Sequence, residues 1–299
     1  MIEEIDNTLL NFNQNNLWLL NFCLGFIMFG VALDLKVENF KELFRQPKNL
    51  AIGVLSQFFM LPFLTWLLIL IIKPPASMAL GMMLVAACPG GNISNFITAQ
   101  AKGNVELSIG LTAFSTGLAL FMTPFNFAFW GALYGPAQNI LTNISIDPFK
   151  MFESVIVLTG LPVLLGMMLN KFLPQLKSKI VKPIKFLSIL IFALFVILAF
   201  ASNFKVFLKY ISYIALFVFL HNLIALAGGF SLAKIFNLDF KSTKTITIET
   251  GIQNSGLGLV LIFNFFNGLG GMALIAAWWG IWHIVSGALL AWYWSKKEI

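Results

Sequence analysis

Nine long apolar segments constrain this chain more than any other feature of its sequence. They lie near residues 17–33, 49–72, 77–101, 105–131, 151–173, 184–201, 208–235, 243–266 and 272–295. A helix needs about 20 mostly apolar residues to cross a hydrocarbon core of roughly 30 Å. The pattern therefore predicts an all-α membrane protein with nine transmembrane helices, in a single domain over residues 1–299.

The composition excludes most other classes of protein. Hydrophobic residues make up 59% of the 299 residues and charged residues 10%, with a mean hydropathy of +0.88. About a quarter of an ordinary soluble domain is charged. We therefore expect membrane lipid as the solvent and no enzymatic activity, since no nucleophile, zinc or nucleotide motif occurs. Neither a nucleic-acid-binding face nor a protein partner is indicated.

The basic residues predict the orientation of the chain in the membrane. With the C-terminus in the cytoplasm, fifteen of the 19 basic residues lie in inside segments, and four lie outside: Lys73, Lys150, Lys205 and Lys209. Cytoplasmic loops are enriched in lysine and arginine. The N-terminus is therefore predicted outside and the C-terminus in the cytoplasm. The acidic N-terminus lacks the features of a cleavable signal peptide, so the first segment is expected to be a retained helix.

Two of the nine segments are interrupted at their middles. The third contains Pro-Gly-Gly-Asn at residues 89–92, and the eighth carries several polar residues within 248–256. Proline lacks an amide hydrogen, and glycine has no side chain to hold helical geometry. Irregular backbone at membrane depth is tolerated where it lines a cavity or binds something. Two such breaks at corresponding positions of the two halves predict a transporter built from inverted repeats.

Glu249 is the acidic residue that lies in the interior of a predicted span. The other eleven of the 12 acidic residues lie in termini, loops or helix ends. A carboxylate in hydrocarbon is costly unless it is paired, protonated or bound to a cation. Since the lysines and arginines are placed between the predicted spans or at their ends, none is available to pair with it, and a metal ion or a proton is left. A protonated glutamate with a structural role stays open as an alternative.

Side chains with neutral oxygens accompany the first break. Ser94 and Asn95 follow it, and Ser108 and Thr112 share a face of the fourth helix because they are four residues apart. Together with Glu249 they form the oxygen set that hard cations prefer. A single carboxylate suits sodium better than calcium. Each hydroxyl taken alone is equally compatible with hydrogen bonding between helices.

Four further polar side chains lie inside predicted spans. Gln57 and Gln253 are suited either to a second ion or to hydrogen bonds between helices. His221 and His283 lie in the seventh and ninth segments, where a lone histidine more often packs through a hydrogen bond than binds a ligand. The tryptophan cluster at residues 278–282 is interpreted as an anchor at the membrane interface.

These motifs resemble the bile acid:sodium symporter family, in order, over about residues 25–295. The resemblance rests on Pro89-Gly-Gly-Asn-Ile-Ser94-Asn95, Gly103-Asn104, Leu107-Ser108 with Thr112, and Glu249-Thr-Gly-Ile-Gln253-Asn254-Ser255-Gly256-Leu257, together with segments 28–33, 57–62, 221–222 and 282–283.

The resemblance implies inverted repeats divided into a panel and a core, with the two broken helices crossing in the core. The panel is expected at about residues 17–35 and 151–201, and the core at about 49–131 and 208–295. The chain resembles a nine-helix form that lacks the first helix of ten-helix members, in a bacterial inner membrane. The implied activity is sodium-coupled symport of a small organic anion, bile-acid-like or a smaller carboxylate, by alternating access.

The resemblance also implies two sodium sites and a substrate site. The first sodium ion is expected at Ser94, Asn95, Ser108, Thr112 and Glu249, and the second at Gln57, Glu249 and Gln253 with the backbone carbonyls of Thr250 and Ile252. Contacts to substrate are expected from Asn92, Asn254, His283 and Ile284. Members that resemble bile acid carriers often have asparagine after the histidine of the ninth helix. Because this chain has Ile284 there, we expect a smaller carboxylate.

Two other functions are compatible with the same residues. A proton-coupled carrier or exporter would use Glu249 and a histidine to exchange protons. A membrane receptor or sensor would keep the ion site for structure alone.

Overall fold

The computed structural model describes residues 2–11, 17–144 and 148–296, and these are almost entirely helical. Within these ranges, extended pairing is limited to two isolated bridges. The α-helices are α1 (Leu17–Ala32), α2 (Val37–Phe44), α3 (Pro47–Leu55), α4 (Leu61–Ile72), α5 (Ala76–Ala87), α6 (Ile93–Gln100), α7 (Val105–Ala132), α8 (Gln138–Ile144), α9 (Pro148–Val155), α10 (Leu161–Phe172), α11 (Pro174–Ser202), α12 (Phe204–Ile235), α13 (Phe240–Gly251), α14 (Ser255–Phe265) and α15 (Gly270–Lys296).

The helix lengths agree with a membrane protein. Five continuous helical stretches are long and apolar enough to span a bilayer: Pro47–Ile72, Val105–Ala132, Phe149–Phe172, Phe204–Ile235 and Gly270–Lys296. Helices α1, α5 and α14 are apolar but shorter. Each of the nine predicted segments coincides with one helix or with consecutive helices, so the all-α membrane class is confirmed. The count of nine spans, the inverted repeats and the division into panel and core stay predictions.

The two helices that precede the breaks lie at the centre of the molecule. Every residue of α5 is buried, and so is every residue of α13 from Ser242 to Gly251. Helix α13 is rich in threonine, and its hydroxyls bond the carbonyl one turn earlier, as Thr247 does to Thr243 and Thr250 does to Ile246, both at 2.8 Å. These bonds satisfy the hydroxyls inside the helix itself, which makes burial of a polar helix tolerable.

Side chains cap the first turns of several core helices. Asn104 accepts from the amide of Leu107 at the start of α7, and Asp239 accepts from Ser242 at the start of α13, both at 3.0 Å. Asp6 accepts from the amides at the start of α5, including that of Ser77 at 2.7 Å. Each such cap contributes about 1 kcal/mol. The caps fix where the central helices begin.

A π segment, Ser56–Met60, joins α3 to α4. It is followed by Pro62, which has no amide hydrogen to give to the carbonyl of Phe58 four residues earlier. The side-chain amide of Asn126 on α7 donates to that carbonyl instead, at 2.9 Å. The local widening of the helix carries Gln57, and π segments of this kind are frequent at functional sites.

The interpretation of the tryptophan cluster was wrong for Trp279. This side chain is fully buried, with its ring centroid 4.6 Å from that of His221 on α12. Helix α15 packs against α5 and α12, so the face that bears Trp279 is turned into the protein. Sequence composition does not distinguish a tryptophan at the interface from one in the core, because both environments accept the ring.

A candidate ion and anion site at the helix breaks

The two interruptions lie side by side and pair their backbones. Helix α5 ends at Ala87 and α6 begins at Ile93, while α13 ends at Gly251 and α14 begins at Ser255. The amide of Gly91 donates to the carbonyl of Ile252 at 2.8 Å, and that of Asn254 donates to the carbonyl of Pro89 at 2.9 Å. Each break thereby supplies partners for the other, as buried backbone requires.

Close approach explains the paired glycines of the first break. A Cβ atom on Gly90 would lie 2.9 Å from Oε2 of Glu249, and one on Gly91 would lie 3.0 Å from the carbonyl oxygen of Gln253. Neither glycine has a positive φ, so the constraint is space and not backbone conformation. Glycine is the residue that lets the two chains cross at this distance.

Glu249 lies in the last turn of α13, buried among hydroxyl groups. Its Oε1 accepts from Ser94 of α6 at 2.5 Å and from Ser108 of α7 in a shorter contact. Its Oε2 accepts from Thr112 at 3.0 Å, and the Thr112 hydroxyl also lies 3.3 Å from Oδ1 of Asn95. The fold therefore brings together all five residues expected at the first sodium site, from three helices.

This cluster has the chemistry of a site for a monovalent hard cation. It contains one carboxylate, three hydroxyls and one amide oxygen, and no sulfur or imidazole. No ion pair between the described residues involves Glu249. Lys244, also buried in α13, donates to the carbonyl of Ala101 at 2.8 Å. The carboxylate is thus held by neutral donors, and its charge is available to a cation.

Three of the residues expected at a second ion, Gln57, Gln253 and Thr250, are joined by direct hydrogen bonds. Nε2 of Gln57 donates to Oε1 of Gln253 at 2.7 Å and to the carbonyl of Cys88 at 2.9 Å. Nε2 of Gln253 in turn donates to the carbonyl of Thr250 at 2.7 Å. The carbonyl of Ile252 accepts from Gly91. Both interpretations of the glutamines stay open, because these contacts join helices and also bring the side-chain oxygen of Gln253 and the carbonyls of Cys88 and Thr250 to neighbouring donors.

Asn92 and Asn254 occupy equivalent positions at the starts of the second half-helices. Asn92 precedes α6, and Asn254 precedes α14, where its Oδ1 accepts from the amide of Leu257 at 3.1 Å. Nδ2 of Asn254 lies 3.6 Å from the sulfur of Met28 on α1, a weak acceptor. The side-chain amide of Asn254 can therefore exchange this contact for a better acceptor at little cost.

The two substrate residues expected on α15 have different surroundings. His283 is buried, with its ring centroid 6.5 Å from that of Trp279. The neighbouring Ile284 is 37% exposed. None of the hydrogen bonds between described residues joins His283 to Asn254 or Asn92. Their roles in substrate binding stay predictions.

Sequence reasoning missed the side chains that satisfy the ends of α5 and α13. Thr123 of α7 donates to the carbonyl of Ala87 at 2.8 Å. Asn222 of α12 donates to the carbonyl of Gly251 at 2.8 Å and accepts from Ser286 of α15 at 2.6 Å. The available signal was a polar residue inside an apolar helix, which predicts a hydrogen bond without naming its partner.

Broken helices that cross around a buried carboxylate are typical of secondary transporters. The chain belongs to the Sodium Bile acid symporter family, whose sequence profile matches residues 21–211. The family predicted from the motifs is therefore confirmed.

Individual relatives support the same assignment. The chain is 36% identical over 274 residues to the "Uncharacterized sodium-dependent transporter YocS" of Bacillus subtilis (strain 168), covering 92% of this chain and 82% of the relative. It is 29% identical over 273 residues to the "Sodium-dependent organic anion transporter" of Bos taurus, covering 85% and 71%. It is 32% identical over 274 residues to the "Probable sodium/metabolite cotransporter BASS1, chloroplastic" of Oryza sativa subsp. japonica, covering 91% and 65%. These relatives are named as transporters and not as enzymes.

Proposed function

We propose that this protein is a sodium-coupled symporter that carries a small organic anion across the membrane by alternating access. One observation carries the proposal: Glu249 is held by Ser94, Ser108 and Thr112 at the point where two broken helices cross. The names of the relatives, which include a sodium-dependent organic anion transporter, support the same class of cargo.

The proposed first sodium ion replaces hydrogen bonds with ion–oxygen contacts. Its ligands are the carboxylate of Glu249, the hydroxyls of Ser94, Ser108 and Thr112, and the amide oxygen of Asn95. These groups come from α6, α7 and α13, so binding of the ion joins both broken helices to a third element. A second ion is proposed at Gln57, Gln253 and Glu249, with the carbonyls of Thr250 and Ile252.

The proposed anion site uses helix ends and bound sodium in place of a basic side chain. The N-termini of α6 and α14 begin beside Asn92 and Asn254, and helix N-termini attract anions through unpaired amides and the helix dipole. With one carboxylate shared between two sodium ions, the loaded crossover carries a net positive charge. An anion then binds best after sodium, which is the coupling that symport requires.

Alternating access requires contacts between the proposed panel and core to break. Asn21 of α1 and Asn264 of α14 exchange two amide hydrogen bonds, at 3.1 Å and 2.7 Å. Asn254 and Met28 form a second contact between the same helices. These polar contacts are individually weak and so suit an interface that opens.

Each sodium ion that moves inward through 100 mV contributes about 2.3 kcal/mol to substrate accumulation.

The test is uptake of radiolabelled carboxylates into proteoliposomes. An inward sodium gradient should drive accumulation, an equal potassium gradient should not, and Glu249→Gln should abolish it. Accumulation driven by a proton gradient without sodium would favour a proton-coupled carrier. Sodium-dependent stabilisation of the purified protein without uptake of any carboxylate would favour a receptor. Either result contradicts the proposal.

A further inference from the structure

A narrow cavity opens beside Glu249 between three helical elements. Its wall comes from α3 with the π segment, from α7 and from α13: Gly53, Val54, Gln57, Leu111, Ser115 and Glu249. Three of these side chains present oxygen atoms and the others are apolar. The hydroxyl of Ser115 donates to the carbonyl of Thr112, so its lone pairs remain for another ligand.

All three helices reach the cavity from the same end. Gly53 lies within two turns of the start of α3, and Leu111 lies within two turns of the start of α7. Glu249 is approached along α13 from its start at Phe240. Arg45 lies just before α3, Lys102 lies just before α7 and Lys241 lies in the first turn of α13, and the distribution of basic residues predicts all three in the cytoplasm. A Cβ atom on Gly53 would contact Ile246, which is about one turn nearer the start of α13 than Glu249 is. The Gly53 end of the cavity therefore lies on the side of Glu249 that faces the predicted cytoplasm.

We propose that this cavity is the path by which sodium leaves Glu249 for the cytoplasm, and that Gly53 keeps the path open. The inference rests on the proposed function and on the predicted orientation. A cation that passes an apolar wall needs oxygen contacts on the way, because loss of hydration without replacement is costly. Ser115 of α7 and Gln57 of the π segment line the cavity and supply these contacts from two different elements.

The packing around Gly53 explains why a larger residue would narrow the path. A Cβ atom at this position would lie 2.5 Å from Cδ2 and 2.9 Å from Cδ1 of Leu111, and 3.3 Å from Cδ1 of Ile246. The closest atoms are the ends of a flexible side chain that itself lines the cavity. Alanine at residue 53 is therefore accommodated by moving Leu111, and the space for that movement is the cavity.

A blocked path and a damaged ion site have different effects on the rate of sodium exchange and on the sodium affinity. Neither Gly53 nor Leu111 contributes an oxygen to the proposed ion sites. Narrowing the path should slow binding and release of sodium equally, and therefore leave the equilibrium affinity unchanged. Damage to the site should change the affinity.

The experiment measures two quantities on purified protein: the rate of radioactive sodium exchange in proteoliposomes at zero gradient, and the sodium affinity from thermal stabilisation. Gly53→Ala should slow sodium exchange by about tenfold or more, with an unchanged sodium affinity. Gly53→Ala with Leu111→Val should restore the rate, because valine lacks both clashing methyl groups. Gly117→Ala on α7, where a Cβ meets nothing within 4 Å, is the matched control.

Val54→Phe is a second variant that fills the cavity, from a half-buried position. It replaces Gly53→Ala in the experiment if Gly53→Ala folds poorly. Slow exchange at unchanged affinity in either variant supports the path. Wild-type exchange rates in both variants, or a loss of affinity that accounts for the slower rate, overturn it. If the wild-type protein shows no saturable sodium exchange, the proposed function itself fails, which is a different result.

Discussion

Gly90→Ala probes the crossing of the two broken helices with a single methyl group. The added Cβ would lie 2.9 Å from Oε2 of Glu249 and 3.5 Å from its carbonyl oxygen, whereas ordinary contacts begin at 3.4 Å. The backbone cannot easily retreat, because Gly91 and Asn254 tie the two breaks together by hydrogen bonds of 2.8 and 2.9 Å. The carboxylate must rotate instead, and the bond from Thr112 to Oε2 is then lost.

The rotated carboxylate also loses one oxygen contact to the bound ion, and we take this loss to be as large as that of a hydrogen bond to a charged group. A hydrogen bond to a charged group contributes about 1.5–3 kcal/mol, and about 1.4 kcal/mol is a factor of ten in affinity. We therefore expect the dissociation constant for sodium to rise about ten- to a hundredfold. At a sodium concentration of about 100 times the wild-type constant, stabilisation by sodium should fall from about 2.7 kcal/mol to about 0.4 kcal/mol for a hundredfold loss.

The assay is a sodium titration of thermal unfolding in detergent, with potassium replacing sodium at constant ionic strength. Gly258→Ala, whose Cβ would meet only the Cys88 sulfur at 3.7 Å, is the matched control beside the same break. Size-exclusion chromatography shows whether each variant is folded before the titration. A folded Gly90→Ala protein with the sodium affinity of the wild type would refute the position of the ion at Glu249.

Three further predictions concern the π segment, the orientation and the substrate. Asn126→Leu removes the donor to the Phe58 carbonyl, so the free energy of unfolding should fall by about 1–3 kcal/mol in thermal unfolding. The sodium affinity should fall as well, because Gln57 moves. Unchanged sodium affinity would show that the π segment does not position Gln57. In intact cells, an impermeant thiol reagent should label Lys205→Cys and not Lys179→Cys, and the opposite pattern would reverse the predicted orientation. Ile284→Asn should change the ranking of carboxylates in an uptake competition while leaving sodium stabilisation intact, whereas an unchanged ranking would show that this residue does not contact substrate.

The centre of the candidate site could be predicted from the sequence because its residues are unfavourable in the hydrocarbon core of a membrane. Glu249 and the polar residues of the eighth segment are costly in hydrocarbon, so their presence requires a compensating partner. The Pro-Gly-Gly run interrupts a helix where lipid would demand a continuous one. Since both features are local in sequence, the breaks and the oxygen cluster were predictable without knowledge of the tertiary structure.

The supporting contacts were not predictable in the same way. Asn126, Thr123 and Asn222 each bond a carbonyl on a different helix, and the partner depends on how the helices pack. Asn254 was expected to contact substrate, and the structure adds a capping bond to Leu257 that uses its oxygen. Trp279 was misplaced at the interface for the same reason. Composition identifies a polar or aromatic residue in a span, while packing decides which neighbour it meets.

Direct binding of radioactive sodium to the purified protein tests the central claim most sharply. The wild type should bind sodium saturably, with competition by unlabelled sodium and not by potassium. Glu249→Gln should lose this binding, because the amide keeps the size of the side chain and removes the charge that balances the cation. Saturable binding of wild-type strength in Glu249→Gln would place the ion elsewhere and contradict the claim that the carboxylate at the crossing of the two broken helices holds it.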